Sequence, residues 1–284
     1  MKITVIITAL DEPYINKTID GIIESDNGSL EEIIVIDDVS KIPIQHSEAR
    51  VIRNKERKGL IWGRNYATEL SKSDIIISID PHCKITSRRW LSVISERLEK
   101  NYNCIAVPKT YCLNPETWEE FNRDKPGFKT IWNWSLDFWW KMPPTRGPYT
   151  PAFAGHCFAF TKSWWEYCGG FDTGMNMWGG ENIEFALRTW LFGGTVEVVD
   201  CFVSHWFKER FQYEMKMSVL LENKARMAES WFDDYKNRFY ASVGNQRGTI
   251  NFGDISHNLR YKARKQQHSF EWFLKRFHPE LGLL

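Results

Sequence analysis

Three apolar, β-branched runs constrain this chain more than any other feature: Ile3 to Thr8, Glu32 to Ile36, and Asp74 to Ile79. Each is short, apolar at successive rather than alternate positions, and separated from the next by segments that include helical spacing. A strand that is apolar on both faces must be covered on both faces, and helical crossovers supply that cover. The alternation therefore predicts an α/β architecture with a mostly parallel sheet flanked by helices. A further short strand is expected at Val51-Ile52. Helices are expected over Tyr14 to Ser25, with Ile15, Ile19, Ile22 and Ile23 on one side, and over Gly59 to Ser71, with Leu60, Ala67 and Leu70 inward.

Polar residues gather just where these strands end, as Thr8, Asp37-Asp38 and Asp80-Pro81-His82. In open α/β sheets the ligand crevice lies outside the carboxyl ends of the strands. Three segments thus converge on one crevice, the placement expected of a nucleotide site. In Asp80-Pro81-His82, two side chains one residue apart can face the same side, offering a carboxylate oxygen and an imidazole nitrogen. That mixed donor set suits Mn2+ better than Ca2+ or a thiolate-preferring metal. An Asp and a His two apart occur by chance in many chains. Its place after a buried strand, opposite Asp37-Asp38, is what gives the pair weight.

Further along, Trp178-Gly179-Gly180-Glu181-Asn182 leads into a helical pattern over Glu181 to Phe192, closed by Gly193-Gly194. The two glycines let backbone approach a ligand closely. A plain structural role for Glu181 is a carboxylate at a helix N-terminus, where the helix dipole favours it. Thr161 to Tyr167 also reads as a helix, and Thr195 to Val199 as a strand. A short stretch, Asp200 to Ser204, then leads to His205, which alone is as readily a surface or core histidine as a ligand. The irregular region from Pro108 to Pro151 holds Trp118, Trp132, Trp134, Trp139 and Trp140. Such residues ordinarily fill a core; the alternative is an aromatic platform for a sugar or base. Charged helices are expected from Met215 to Tyr240 and from His257 to Phe277.

A length of 284 residues can bury a full core as one large domain or two modest ones. The net charge of +1 implies neither nucleic acid nor membrane as partner. From His205 onward 14 Lys and Arg face 9 Asp and Glu, an excess that a solvated helical surface explains as well as a polyanion-binding face. The N-terminal MKITVIITAL is too short for a secretory h-region and lacks a small-residue cleavage site. No run approaches the ~20 apolar residues of a membrane helix. The six cysteines include no CxxC pair, so reduced thiols in a cytosolic chain are expected.

These blocks resemble the catalytic domain of the polypeptide N-acetylgalactosaminyltransferases, retaining metal-dependent enzymes of mucin-type O-glycosylation. The family's D-x-H-C block is similar to Asp80-Pro81-His82-Cys83, and its W-G-G-E-N block with the closing Gly-Gly is similar to Trp178 to Gly194. Its G-H-x-F-(R/K) block resembles Ser204-His205-Trp206-Phe207-Lys208, with Ser204 in place of Gly. Asp37-Asp38, Arg57-Lys58-Gly59-Leu60, Trp134 to Trp140, Trp231 to Lys236, Trp272 to Leu274 and Pro279 to Leu281 follow in the family's order. The resemblance implies a GT-A fold formed as one domain over 1–284, with a nucleotide-binding half at 1–107 and an acceptor-binding half with C-terminal helices at 108–284. It implies that Asp80, His82 and His205 hold Mn2+ on the donor diphosphate of a UDP-sugar. Thr8, Asp38 and Arg57 match positions that, with Asp80, hold the nucleotide. Arg64, Ala154, Gly155 and Glu181 match positions around the donor sugar, beside Trp178, and His156, Gly179 and Gly180 border the same side. Arg64, Trp178 and Glu181 are the expected catalytic residues, with Glu181 orienting the sugar rather than attacking it.

Three departures qualify the match. Where the family has Ala-Gly-Gly beside the donor sugar, this chain has Ala154-Gly155-His156, which leaves the choice between GalNAc and a related hexose open. The lid after the metal-binding histidine reads Glu209-Arg210-Phe211-Gln212-Tyr213-Glu214-Met215, without the family's glycines, and is expected to be shorter and stiffer. The family's membrane anchor, stem and lectin domain are missing, and Cys201 matches a family position that is disulfide-bonded. A cytosolic enzyme of a bacterium or of a virus-infected cell is the expectation, with no membrane partner. The acceptor is then a Ser/Thr hydroxyl of a protein or peptide, slightly preferred, or a hydroxymethylated pyrimidine in viral DNA. A non-catalytic nucleotide-sugar-binding protein is the remaining alternative.

Overall fold

The computed structural model describes residues 1–25, 28–141, 147–208, 216–245 and 247–283. The first half runs β1 (Ile3–Ala9), α1 (Ile15–Glu24), β2 (Leu30–Asp37), β3 (Arg50–Arg53), α2 (Leu60–Leu70), β4 (Ile75–Ile79), β5 (Cys83–Ile85), α3 (Trp90–Lys100) and β6 (Cys104–Leu113). It continues through β7 (Glu120–Phe121), β8 (Lys129–Trp132), β9 (Phe138–Lys141), β10 (Cys157–Thr161), α4 (Lys162–Cys168), α5 (Glu181–Leu191) and β11 (Thr195–His205). The C-terminal part holds α6 (Met217–Trp231), α7 (Lys236–Ser242), α8 (Ser256–Lys265) and α9 (Phe270–Leu281).

The main sheet has the order β3-β2-β1-β4-β10-β6-β11-β5, with β7 on β6. β3, β2, β1 and β4 are parallel, as the uninterrupted apolar runs require. β10 then enters antiparallel between β4 and β6, while β6 and β11 are parallel. Because successive strand residues face opposite sides, Ile6, Ile34, Ile76 and Phe158 join one core, while Val5, Ile7, Val35, Ile77 and Ala159 join another. α1 and α3 cover the second; α2, α5, α6 and α9 cover the first. The sheet runs without a break across residue 107.

The expected helices and strands occur within a few residues of their predicted ends, with three corrections. The stretch Asp200 to Ser204 is no connector: β11 runs through it to His205, and a register shift against β6 between Val199 and Phe202 absorbs the exposed Asp200. The charged segment from Met215 is broken after Trp231, where a 3-10 turn (Asp233–Tyr235) precedes α7. The last segment divides at 266–269, because the Ser269 side chain caps α9 by accepting from the Trp272 amide at 3.1 Å. The tryptophans split between their two readings. Trp132 is fully buried, whereas Trp139 on the β8–β9 hairpin is 46% exposed.

All six cysteines are free. Among the described residues no helix is long and apolar enough to cross a membrane. The expected lid segment, 209–215, lies outside the described residues.

Candidate active site

One cleft of about 340 Å³ opens at the carboxyl ends of β1, β2 and β4 and is completed by the segments around 154–156, 177–182 and 205–208. Thr8, Asp38, Arg57, Arg64, Asp80, His82, Ala154, Gly155, His156, Trp178, Glu181 and His205 all border it. Gly179 and Gly180 do not line the cleft; they act on it through Glu181. Among the described residues six buried side-chain polar atoms lack a hydrogen-bond partner, and four of them belong to cleft residues: Thr8 Oγ1, His156 Nδ1 and both ring nitrogens of His205. Orphaned polar atoms are rare in folded proteins. Their concentration here marks a surface made to be completed by a ligand.

The metal-ligating types come together through strand register. Asp80 follows the last residue of β4, and its amide donates to the His156 carbonyl at 2.7 Å. β5 pairs antiparallel with the end of β11, setting Cys83 opposite His205. That register places His82 and His205 side by side, with ring centroids 4.8 Å apart. Asp80 Oδ2 is 3.3 Å from His205 Nε2. One ligand atom each from Asp80, His82 and His205 fits within 4.8 Å of the others. The donors fit a divalent cation of the Mn2+ type: one hard oxygen, two imidazoles, and in His205 a buried ring with no competing protein partner.

Electrostatics prepares the same group. Burial alone would raise the Asp80 pKa, but contact with His205 and the charges of His82, His205 and Arg64 hold it well below the usual carboxylate range. Burial pushes His205 down to about 4, against the opposing pull of Asp80. Burial, followed by His205, also holds His156 well below an ordinary imidazole. At neutral pH Asp80 is therefore a carboxylate while His205 and His156 are neutral, the forms that donate to a metal or a hydroxyl.

Arg64 links this centre to the sugar side. It is 1% exposed on α2; its Nη1 donates to Glu181 Oε1 at 2.8 Å, its Nη2 to the Gly155 carbonyl at 2.5 Å and its Nε to Ser78 Oγ at 3.1 Å. Arg64 Nη2 also lies 3.6 Å from Asp80 Oδ1. The second oxygen of Glu181 accepts from the Gly179 amide at 2.9 Å. Both carboxylate oxygens of Glu181 are thus engaged, which suits an orienting group better than a nucleophile. Glu181 opens α5, and Gly180 before it takes φ +88 with no side-chain cap.

At the nucleotide end Asp38 is already committed. Its Oδ1 accepts from Asn54 Nδ2 at 2.7 Å and the Lys58 amide at 2.8 Å, and its Oδ2 accepts from the Gly59 amide at 2.8 Å. Asp38 therefore shapes the loop that carries Arg57, besides bordering the cleft. Gly59 joins this loop to the Trp178 segment, for the next amide, Leu60, donates to the Met177 carbonyl at 2.8 Å. Gly59 has φ +87, and a Cβ there would lie 2.5 Å from Met177 Cα. Gly59→Ala is expected to destabilise the fold by about 1–3 kcal/mol, read as a lowered Tm in thermal unfolding.

Two charged residues of the cleft were not singled out from the sequence as site residues. Glu12, on the loop after β1, lies 3.2 Å (Oε2) from His82 Nδ1 and also accepts from Lys208 Nζ. Burial would raise the Glu12 pKa, but the His82 bond and the charges of His82 and Lys208 lower it. The strand-end rule that marked Thr8 extends to Glu12 four residues later; its pairing with Lys208, 196 residues away, has no local signal.

A family model, glycosyl transferase family 2, matches residues 4–168, more than half of the chain. The chain belongs to glycosyl transferase family 2. A second model, N-terminal domain of galactosyltransferase, matches residues 143–212. This glycosyl transferase is similar to the putative polypeptide N-acetylgalactosaminyltransferase 9 of Drosophila melanogaster, 31% identical over 274 residues that cover 88% of this chain and 42% of the relative. It is also similar to polypeptide N-acetylgalactosaminyltransferase 14 of Homo sapiens, 30% identical with coverage of 89% and 49%. The chain thus spans less than half the length of these curated relatives. Among solved structures, GalNAc-T7 with UDP, GalNAc and Mn2+ superposes with a TM-score of 0.86 at 26% identity, covering 99% of this chain and 57% of that one. A mannosyltransferase from Pyrobaculum calidifontis, in complex with GDP-Man and Mn2+, shares the fold at a TM-score of 0.53 and 17% identity. The fold is GT-A, and the motifs that resembled the polypeptide transferases in sequence belong to a chain similar to them over nearly its whole length.

Proposed function

We propose that this chain is a metal-dependent, retaining glycosyltransferase that moves GalNAc or a related hexose from a UDP-sugar to a hydroxyl of Ser or Thr in a protein or peptide. The observation that carries this reading is the joining of Asp80, His82 and His205 to the Arg64–Glu181 pair in one cleft at the strand ends. A nucleoside diphosphate leaving group needs its charge neutralised, and that is what Mn2+ on Asp80, His82 and His205 would supply. Thr8, Asp38 and Arg57 hold the nucleotide end. Arg64, Trp178 and Glu181, with Ala154, Gly155 and His156, surround the sugar, and Gly179 and Gly180 fix Glu181. Lys208 adds a cation on the diphosphate side.

With both Glu181 oxygens engaged, the acceptor hydroxyl attacks from the face the diphosphate leaves, and the departing phosphate oxygen takes its proton. Positioning and electrostatic stabilisation then provide most of the acceleration. Residues 1–107 form the nucleotide half and 108–284 the acceptor half of one domain, with the exposed Phe138 and Trp139 of the β8–β9 hairpin on the acceptor side.

A peptide acceptor is supported by the relatives, whose names carry polypeptide substrates; a hydroxymethylated-DNA acceptor gains no support from them. The test is a screen of UDP-sugars with Mn2+, followed by mass spectrometry of peptide and hydroxymethyl-DNA acceptors. We expect a hexose or N-acetylhexose mass increment on Ser/Thr peptides, abolished by a chelator and restored by Mn2+. A mass increment on DNA alone would replace the acceptor assignment, and no turnover of any UDP-sugar would leave a binding protein.

A further inference from the structure

Glu12 is a buried carboxylate with divided duties. Its side chain is 8% exposed, and its partner Lys208 is 9% exposed, so the pair is not a screened surface contact. Oε2 meets His82 Nδ1 at 3.2 Å, while Oε1 accepts from Lys208 Nζ. A carboxylate can only accept, so His82 Nδ1 carries the proton and Nε2 keeps its lone pair. Lys208 stands three residues beyond His205, on the chain that leaves β11. One carboxylate from the β1 end therefore bridges the segment carrying His82 and the segment carrying His205. No other acidic side chain touches the His82 ring among the described residues in the hydrogen bonds and ion pairs of this cleft.

We propose that Glu12 is a positioning residue of the metal centre: it fixes the His82 tautomer so that Nε2 faces the cation, and with Lys208 it holds the two histidine-bearing segments at ligand distance. This rests on the metal reading of Asp80, His82 and His205. Carboxylates that orient a ligating imidazole typically contribute about 10–100-fold in metal affinity. Asp80 cannot do the same work, since its own oxygens face His205 and Arg64.

The test measures Mn2+ binding to the full chain by titration calorimetry and electron paramagnetic resonance, for the wild type, Glu12→Ala, Glu12→Gln and His82→Ala. It adds the imidazole 15N spectrum of the metal-free proteins. Glu12→Ala is expected to weaken Mn2+ about 10–100-fold and to move His82 from the Nδ1-protonated tautomer towards a mixture. Glu12→Gln, whose amide oxygen can still accept from Nδ1, is expected to lie between Glu12→Ala and the wild type; it also carries the test if Glu12→Ala fails to fold. Unchanged affinity and an unchanged 15N spectrum in both Glu12 variants would overturn the proposal alone. So would a loss in Glu12→Gln as complete as in His82→Ala, which would make Glu12 a direct ligand. A wild type that binds no Mn2+ would overturn the metal reading and this proposal with it.

Discussion

His205→Ala is expected to abolish sugar transfer while leaving the fold standing. An outer partner of a metal ligand alone contributes about 10–100-fold in metal affinity, so removal of a direct ligand should weaken Mn2+ binding by at least about 100-fold. The fold should tolerate it, because neither ring nitrogen of His205 has a hydrogen-bond partner to lose. What remains is a small cavity beside His82 and His156, and the Tm should move by roughly 2–4 °C, the shift expected for about 1 kcal/mol. Transfer assays with a Mn2+ titration, run beside thermal unfolding, give the answer. Full transfer by His205→Ala or His82→Ala would refute the metal centre, and unfolding of His205→Ala would recast the residue as a core histidine.

Arg64→Ala should behave in the opposite way, damaging fold and function together. Its guanidinium is the buried counterion of Glu181 and stands near Asp80, with side-chain exposures of 2% for Arg64 and 3% for Glu181. Removing one partner of a buried pair leaves an uncompensated charge and costs about 3–5 kcal/mol. At roughly 2–4 °C per kcal/mol, the Tm should fall on the order of 10 °C. Arg64→Lys keeps the charge but not the planar fork that reaches Ser78, Gly155 and Glu181 at once, so it should recover only part of the loss. Pairing Arg64→Ala with Glu181→Ala should cost less than the sum of the single changes, because the stranded carboxylate is gone. Strict additivity in that cycle would show that the two side chains are not coupled.

Much of the site was legible because its residues sit at strand ends. Thr8, Asp38 and Asp80 follow apolar runs whose pattern alone implies a parallel sheet, and a parallel sheet puts its ligands at those ends. The Trp178 to Glu181 segment was legible through its glycines, although their role is to seat Glu181 and pack the backbone rather than to line the cleft. The β8–β9 tryptophans were not legible one by one: Trp132 and Trp139 differ only in which way the hairpin turns them, and that depends on what packs behind.

By itself, then, the sequence determined the layered α/β plan and the carboxylates and histidine at the strand ends, because period and strand-end placement are local properties of the chain. Motif order added the family resemblance. Only the tertiary structure decided what those residues do to one another. The β5–β11 register brought His205 beside His82, burial of Arg64 tied Asp80 to Glu181, and Glu12 met a lysine 196 residues away. Contacts between residues far apart in sequence are set by packing, and packing leaves no periodic signature in the chain.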